Sequence, residues 1–300
     1  MNATIERFLS YLSNEQNCSR HTVSAYRRDV EQFESFLRVA GECEPDFVSV
    51  EPVDIRAWVS GLARSGMGQS TIRRKVQSVR ALFRYLMRCG TVTDNPAADL
   101  ELAKLPKRLP AFVREGQLNA LLDSEVEMDD FEQVRDRLMV MMLYETGIRR
   151  SELATMADES VDTQVQELRV RGKRDKDRIV PFGDELKGWI DRYRALRRKV
   201  AADGKTFFTR QNGKPLYPSL IYKVVTSQLG QAGVTGKKSP HVLRHSFATS
   251  MLNAGAGLDS VKDLLGHESI ATTQVYTHVT MSDLINNYKL AHPRAQKKGG

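Results

Sequence analysis

The sequence predicts a mainly α-helical protein of two domains with one small β-sheet. Three observations predict it. Apolar residues recur at steps of three and four along most of the chain, the spacing that gives a helix one buried face. A pair of segments within residues 166–182 instead alternates side by side around a polar turn, as a β-hairpin does. Finally, 300 residues are ample for more than one core, and a basic segment at 104–110 is broken by two prolines, which marks a boundary between domains.

Residues 1–103 read as helices. Between Ser19 and Val39, the residues Val23, Tyr26, Val30, Phe33 and Leu37 form one stripe, and Gly41 closes the segment. A shorter helix covers about 52–63, bounded by Gly66 and Gly68. A third runs from about 70 to 88 and stops at Cys89-Gly90, with Ile72, Val76, Val79, Phe83 and Leu86 on its buried face. Arg73, Arg80, Arg84 and Arg88 make a separate basic band on it, flanked near its start by Arg74 and Lys75. No acidic residue interleaves with the band, unlike a face tuned for solubility. Arg73, Arg74, Lys75, Arg80 and Arg84 are therefore candidate contacts to DNA phosphates, with a solvated charged face as the alternative.

In the segment 104–110, Pro106 and Pro110 break any helix and hold the chain extended, while Lys104, Lys107 and Arg108 keep it basic. The second domain runs from about 111 to 300. Helices are expected at about 115–123, 131–145 and 149–157, then a hairpin with strands 166–171 and 178–182 around the turn 172–177. Further helices follow at about 184–200, 218–232, 240–254, 258–266 and 281–291.

Composition narrows the classes. Apolar residues at 41% and charged residues at 27% describe a soluble globular protein. No apolar run approaches the roughly 18 residues that a membrane span needs, and the N-terminus lacks the basic and apolar regions of a secretory signal. Cys18, Cys43 and Cys89 are odd in number and widely spaced, a pattern of reduced thiols rather than of a disulfide frame or zinc cluster. These features lead to the expectation of a cytoplasmic protein with no membrane partner. The net charge is +8, and it is uneven: residues 1–105 hold 14 Lys/Arg against 13 Asp/Glu, the remainder 31 against 24. Such a balance favours a polyanionic partner.

One tyrosine and five basic residues carry the chemistry. Tyr276 lies in Ala271-Thr-Thr-Gln-Val-Tyr276, nine positions after the His267 of Leu264-Leu-Gly-His267. A phenol with an unperturbed pKa of about 10 is a poor nucleophile unless cations and a base surround it and the target is an electrophile such as a phosphodiester. His241 and Arg244 follow Ser239-Pro240, a helix start with serine at the cap and proline in the first turn. Three residues apart, they share one face beside free backbone N–H groups, a seat for phosphate, whereas Leu243, Phe247 and Met251 hold the apolar side. Taken alone, His-x-x-Arg also describes an ordinary surface. His241 and His245 have the spacing of a zinc pair, but no glutamate follows His241 and no cysteine lies in this half, so no metal is expected. Arg149 precedes Arg150, and Lys173 in the hairpin turn competes with Lys176. His267, after Gly266, could equally be a structural cap of its helix.

Taken together and in this order, Arg149 in Gly-x-Arg-x-Ser-Glu-Leu, Lys173, His241-x-x-Arg244, His267 and Tyr276 resemble the tyrosine recombinases, or phage-integrase family. The resemblance covers essentially the whole chain, and is strongest to the Xer branch of simple recombinases, whose ending Leu290-Ala-His292-Pro-Arg-Ala295 is similar to. It implies a helical, SAM-like core-binding domain (1–103) and a catalytic domain (111–300) joined by the linker 104–110 as a C-shaped clamp on double-stranded DNA. By the same resemblance Tyr276 is the nucleophile, giving a 3′-phosphotyrosyl enzyme, and Arg149 and Arg244 hold the non-bridging oxygens. Lys173 protonates the leaving 5′-oxygen, His241 serves as base and acid, and His267 donates to the phosphate. No cofactor is implied, and no phosphate-loop motif is present. The implied partners are a recombination site, a homo- or heterotetramer with a sister Xer-type recombinase through the helix 281–291, and a septal DNA translocase. The implied role is resolution of chromosome dimers. A mobile-element integrase, a type IB-like topoisomerase and a non-catalytic DNA-binding regulator of this fold are the other readings.

Overall fold

The computed structural model describes residues 2–41, 46–102, 112–172, 177–200 and 205–266, together with Tyr288, Ala291 and Arg294. The chain divides into two compact units, 1–108 and 109–300.

Among its described residues the first unit holds four helices: α1 (Ala3–Asn14), α2 (Arg20–Gly41), α3 (Pro52–Arg64) and α4 (Gln69–Arg88). Asn2 caps α1 by accepting from the Thr4 N–H at 3.0 Å, and proline opens α3 where its missing N–H costs nothing. Helix α2 packs on α1, α3 and α4. Phe8, Val30, Phe33, Trp58, Val79, Leu82 and Phe83 are all buried in one core, and the Phe33 and Trp58 rings meet with centroids 4.9 Å apart. One carboxylate, Asp29, is 1% exposed inside this unit.

The second unit is organised around α6 (Phe131–Thr146), which follows α5 (Glu115–Leu122). Asp130 caps α6 by accepting from the Glu132 and Gln133 N–H groups at 2.7 and 2.9 Å. Every residue from Leu138 to Thr146 is buried; a helix without a polar face has to be surrounded. Its cover comes from α7 (Arg150–Thr155), α8 (Asp184–Arg197), α9 (Pro218–Gln231) and α10 (Pro240–Asn253). The last described helix, α11 (Leu258–Leu265), packs on α10 and on strand β3 (Asp177–Pro181).

The expected hairpin is the antiparallel pair of β2 (Glu167–Arg171) and β3, in the register Leu168↔Val180, Arg169↔Ile179 and Val170↔Arg178. Leu168 and Val170 point inward while Arg169 and Arg171 point out, the alternation read from the sequence. A short strand not foreseen there, β1 (Val161–Asp162), completes a three-stranded sheet in the order β1-β2-β3. Most helices for which limits were expected stand within two residues of them. The exceptions are the segment 149–157, where Met156 is already extended and the helix ends at Thr155, and the segment 184–200, where the helix ends at Arg197.

The linker 104–110 lies outside the described residues, as does most of the expected helix 281–291. Tyr288, Ala291 and Arg294 are buried in their own chain. Arg294 donates to Asp123 at 3.0 Å, to Asn119 at 3.4 Å and to Glu185. Its Nε lies 3.6 Å from Oε1 of Glu145, a carboxylate that is wholly buried within α6. Burial pushes the Glu145 carboxyl up to about 8; Glu185 pushes the same way and Arg294 pulls it back.

Candidate active site

The site begins where α6 ends. Gly147 caps that helix in the left-handed conformation, φ +62°, which costs a glycine nothing. The turn it makes delivers Arg149 as the N-cap of α7. Three residues on, the side chain of Glu152 reaches back and accepts from the Arg149 backbone N–H at 2.6 Å, as an acid in a first helical turn does. The same carboxylate accepts from Arg149 Nη1 at 2.8 Å, and Arg149 Nη2 donates to the carbonyl of Gly266 at 2.7 Å. Arg149 is thus aimed by its own helix and by the end of α11.

Arg244 comes from the start of the second turn of α10 and is 8% exposed. Its terminal nitrogens donate to the carbonyls of Gly147 and Leu265. Both arginines therefore donate to carbonyls at the C-terminal end of α11, Arg149 to Gly266 and Arg244 to Leu265, where carbonyls have no helical partners. Gly266 ends α11 with φ +61°, as its glycine suggested. Burial pushes the Arg244 guanidinium down to about 10, with Arg149 and Arg178 adding repulsion and Glu152 opposing it; it remains charged at neutral pH. His241, one turn earlier on α10, is exposed. Partial burial and then the nearby cations Arg150, Lys237, Arg244 and Arg149 hold its ring below the ordinary histidine value. A neutral imidazole can accept a proton.

Two buttressing residues had no role assigned from sequence. Glu152 receives Nη1 and Nη2 of Arg178 at 2.9 and 2.8 Å, and Arg178 Nε donates to the Leu264 carbonyl at 2.8 Å. Burial raises the Glu152 carboxyl, but the hydrogen bonds from Arg178 and Arg149 outweigh it and hold the carboxyl below its usual range. A signal for Arg178 existed: it stands opposite inward-facing Val170 in the hairpin, and a charge on that face requires a buried partner.

Of the six expected site residues, Arg149, His241 and Arg244 come together here from segments about a hundred positions apart. Lys173, His267 and Tyr276 lie outside the described residues. What is described is a shelf carrying three guanidinium groups and one buried carboxylate. An anion entering it relieves like-charge repulsion and meets pre-oriented donors.

Comparison with known proteins gives the family. Residues 111–283 match the model of the phage integrase family, and residues 5–90 match its N-terminal SAM-like domain. The chain belongs to the phage integrase family. It is similar to proteins named tyrosine recombinase XerC: 36% identical over 294 residues to that of Listeria innocua serovar 6a, covering 97% of each chain, and 37% identical over 295 residues to that of Lacticaseibacillus casei, covering 97% and 98%. It is a Xer-type tyrosine recombinase, a site-specific DNA recombinase. Two solved structures share its fold. One is XerH site-specific recombinase bound to difH substrate (TM-score 0.69, 22% identity, covering 94% of this chain and 83% of that one). The other is a lambda integrase dimer bound to a COC′ core site (TM-score 0.68, 14% identity, covering 93% and 98%).

In the N-terminal unit of this recombinase, the basic band of α4 needs correction. The acidic partners absent from α4 itself come from elsewhere: Asp29 of α2 accepts from Arg74, from Lys75 at 3.0 Å and from Ser78 at 2.7 Å. Lys75 is 8% exposed, so its charge is committed inside the fold and it is not free to reach DNA. Arg80 likewise donates to the carbonyls of Ala97 and Leu100, both at 2.7 Å, holding the segment that follows α4. Arg73 donates to the Leu102 carbonyl at 3.4 Å. Arg84 is exposed. Arg88, part of the band, donates to Tyr11 and Glu15.

Proposed function

We propose that this recombinase cuts and rejoins DNA by attack of Tyr276 on the scissile phosphate, forming a 3′-phosphotyrosyl enzyme and releasing a 5′-hydroxyl. The observation that carries the reading is the meeting of Arg149 and Arg244 on one shelf, with His241 a turn away. Their forks suit the two non-bridging oxygens, whose charge grows in the transition state. His241, neutral at physiological pH, takes the phenolic proton and returns it in the reverse step. Lys173, in the turn following Gly172 of the hairpin, protonates the departing 5′-oxygen, and His267, next in sequence to Gly266, donates to the phosphate. Because the phosphotyrosine conserves the bond energy, the religating step needs no nucleotide. Repeated on both strands, the cycle passes through a Holliday junction.

The exposed Arg74 and Arg84 of the domain 1–103 contribute to holding the duplex. We further propose that it resolves chromosome dimers in the cytoplasm, in a tetramer made with itself or with a sister recombinase, under a septal translocase; its similarity to proteins named tyrosine recombinase XerC places it in the branch from which this reading is drawn. Among the described residues no helix is long and apolar enough to cross a membrane.

The experiment is a nicked suicide duplex carrying the candidate chromosomal site, incubated with wild-type protein and with Tyr276→Phe. A covalent protein–DNA band from wild type alone supports the reading. A mobility shift without a covalent band calls for addition of the sister protein. Continued absence of the band then identifies a DNA-binding module without cleavage.

A further inference from the structure

We propose that Arg178 is a positioning residue for the cleavage step, keeping the charge of Arg149 available to the phosphate. This inference rests on the reading of Arg149 given above. Arg178 connects three segments. It is the second residue of β3, the return strand of the hairpin between whose strands Lys173 lies in sequence; its forked nitrogens close on both oxygens of Glu152, and its Nε holds the Leu264 carbonyl at the end of α11, two residues before Gly266. Approach at that point is tight, since a Cβ on Gly266 would stand 3.2 Å from Arg178 Nη1.

The charge balance explains why two arginines serve one carboxylate. With Glu152 and Arg149 alone, the pair is neutral, and a carboxylate whose side chain is 6% exposed would draw the Arg149 guanidinium into a full fork-to-fork pair. Arg178 supplies that fork instead, leaving Arg149 with one hydrogen bond to Glu152 Oε1 and one to the Gly266 carbonyl. The trio Arg149, Arg178 and Glu152 then carries one net positive charge, at the place where a phosphate oxygen arrives. A fixed donor beside growing negative charge is the arrangement that accelerates a phosphoryl or acyl transfer.

The test is single-turnover cleavage of the nicked suicide duplex by the full chain, with DNA affinity and melting temperature measured alongside. Arg178→Met should slow covalent-complex formation by on the order of 100-fold, the scale of losing a transition-state donor, with DNA affinity changed by less than about threefold. Because Arg178 acts through Glu152, the same change in a Glu152→Gln background should cost under about fivefold more, the non-additivity of coupled residues. Arg178→Lys keeps the charge but cannot hold both carboxylate oxygens and the Leu264 carbonyl, so it should fall between wild type and Arg178→Met. If Arg178→Met does not fold, Arg178→Lys carries the test, with about tenfold slower cleavage at unchanged DNA affinity expected. Cleavage at the wild-type rate by the folded variant, or an equal loss in both Glu152 backgrounds, overturns the proposal. Arg149→Gln is run in parallel. Wild-type cleavage by that variant means that the reading of Arg149 has failed, whereas loss there with none in the Arg178 variants means that only this inference has.

Discussion

The guanidinium of Arg244 closes on the carbonyl of Gly147, 97 residues earlier in the chain. That carbonyl is aimed by a left-handed glycine packed so closely that a Cβ would stand 2.4 Å from the Phe247 ring and 2.8 Å from the Leu265 side chain. Gly147→Ala combines backbone strain with overpacking and should cost roughly 2–5 kcal/mol. Thermal melting would show the loss. Cleavage measured well below the new melting temperature should also fall, because the seat of Arg244 has moved.

The neighbours of His241 set its titration. Burial and repulsion from Arg150, Lys237, Arg244 and Arg149 lower its value in the folded protein, so the folded state disfavours the protonated ring. The corresponding stability is present above the unfolded value of 6.5 and is lost as pH falls through the depressed folded value. An NMR titration of DNA-free protein should place the His241 midpoint below 6.5. Arg150→Gln should move that midpoint upward; an unchanged midpoint would show that Arg150 exerts no such repulsion.

Glu145 behaves in the opposite sense. Its folded value is raised from 4.5 to about 8, so the stability linked to it is complete below 4.5 and is lost as pH rises through about 8. Glu145→Gln should flatten the dependence of catalytic-domain unfolding on pH across that window. Arg294→Met removes the cation that pulls Glu145 back and that pairs with Asp123 and Glu185. It should destabilise this domain by about 3 kcal/mol, as breaking a buried ion pair does, and extend the same pH dependence to higher pH. Denaturant titrations over a pH series check both.

Lys75 and Arg84 sit on one helix with opposite expected phenotypes. Lys75→Met strips a partner from the buried Asp29, which keeps Arg74 and Ser78, and should cost about 2–4 kcal/mol. Arg84→Ala should leave stability within about 0.5 kcal/mol. It should instead weaken DNA binding and reduce the slope of log affinity against log salt by about 0.9, one phosphate contact. Equal salt slopes for Arg84→Ala and wild type would remove Arg84 from the DNA surface.

Much of the architecture was legible in the sequence. The stripe Ile72, Val76, Val79, Phe83 and Leu86, the Ser239-Pro240 start, the Gly266 stop and the alternation around Leu168 and Val170 are local patterns, and each became the element it predicted. The strand β1 was not legible, because two residues are too few to show a period. The α4 band was misjudged in part because its acidic partner sits 46 positions from Lys75, on another helix.

By itself the sequence determined the helices, the single hairpin and the membership of Arg149, His241 and Arg244 in one set, since periodicity, capping and motif order are all written along the chain. Only the tertiary structure decided what each cation does. Arg80 and Lys75 are consumed by carbonyls and a buried carboxylate, Arg244 rests on two helix ends, and Arg178 takes both oxygens of Glu152 while Arg149 keeps one hydrogen bond to it from its guanidinium. The physical reason is that a guanidinium identifies itself in sequence only as a charge with several donors. Which of those donors remain for a substrate depends on acceptors brought within 3 Å by folding, from residues that sequence proximity never marks.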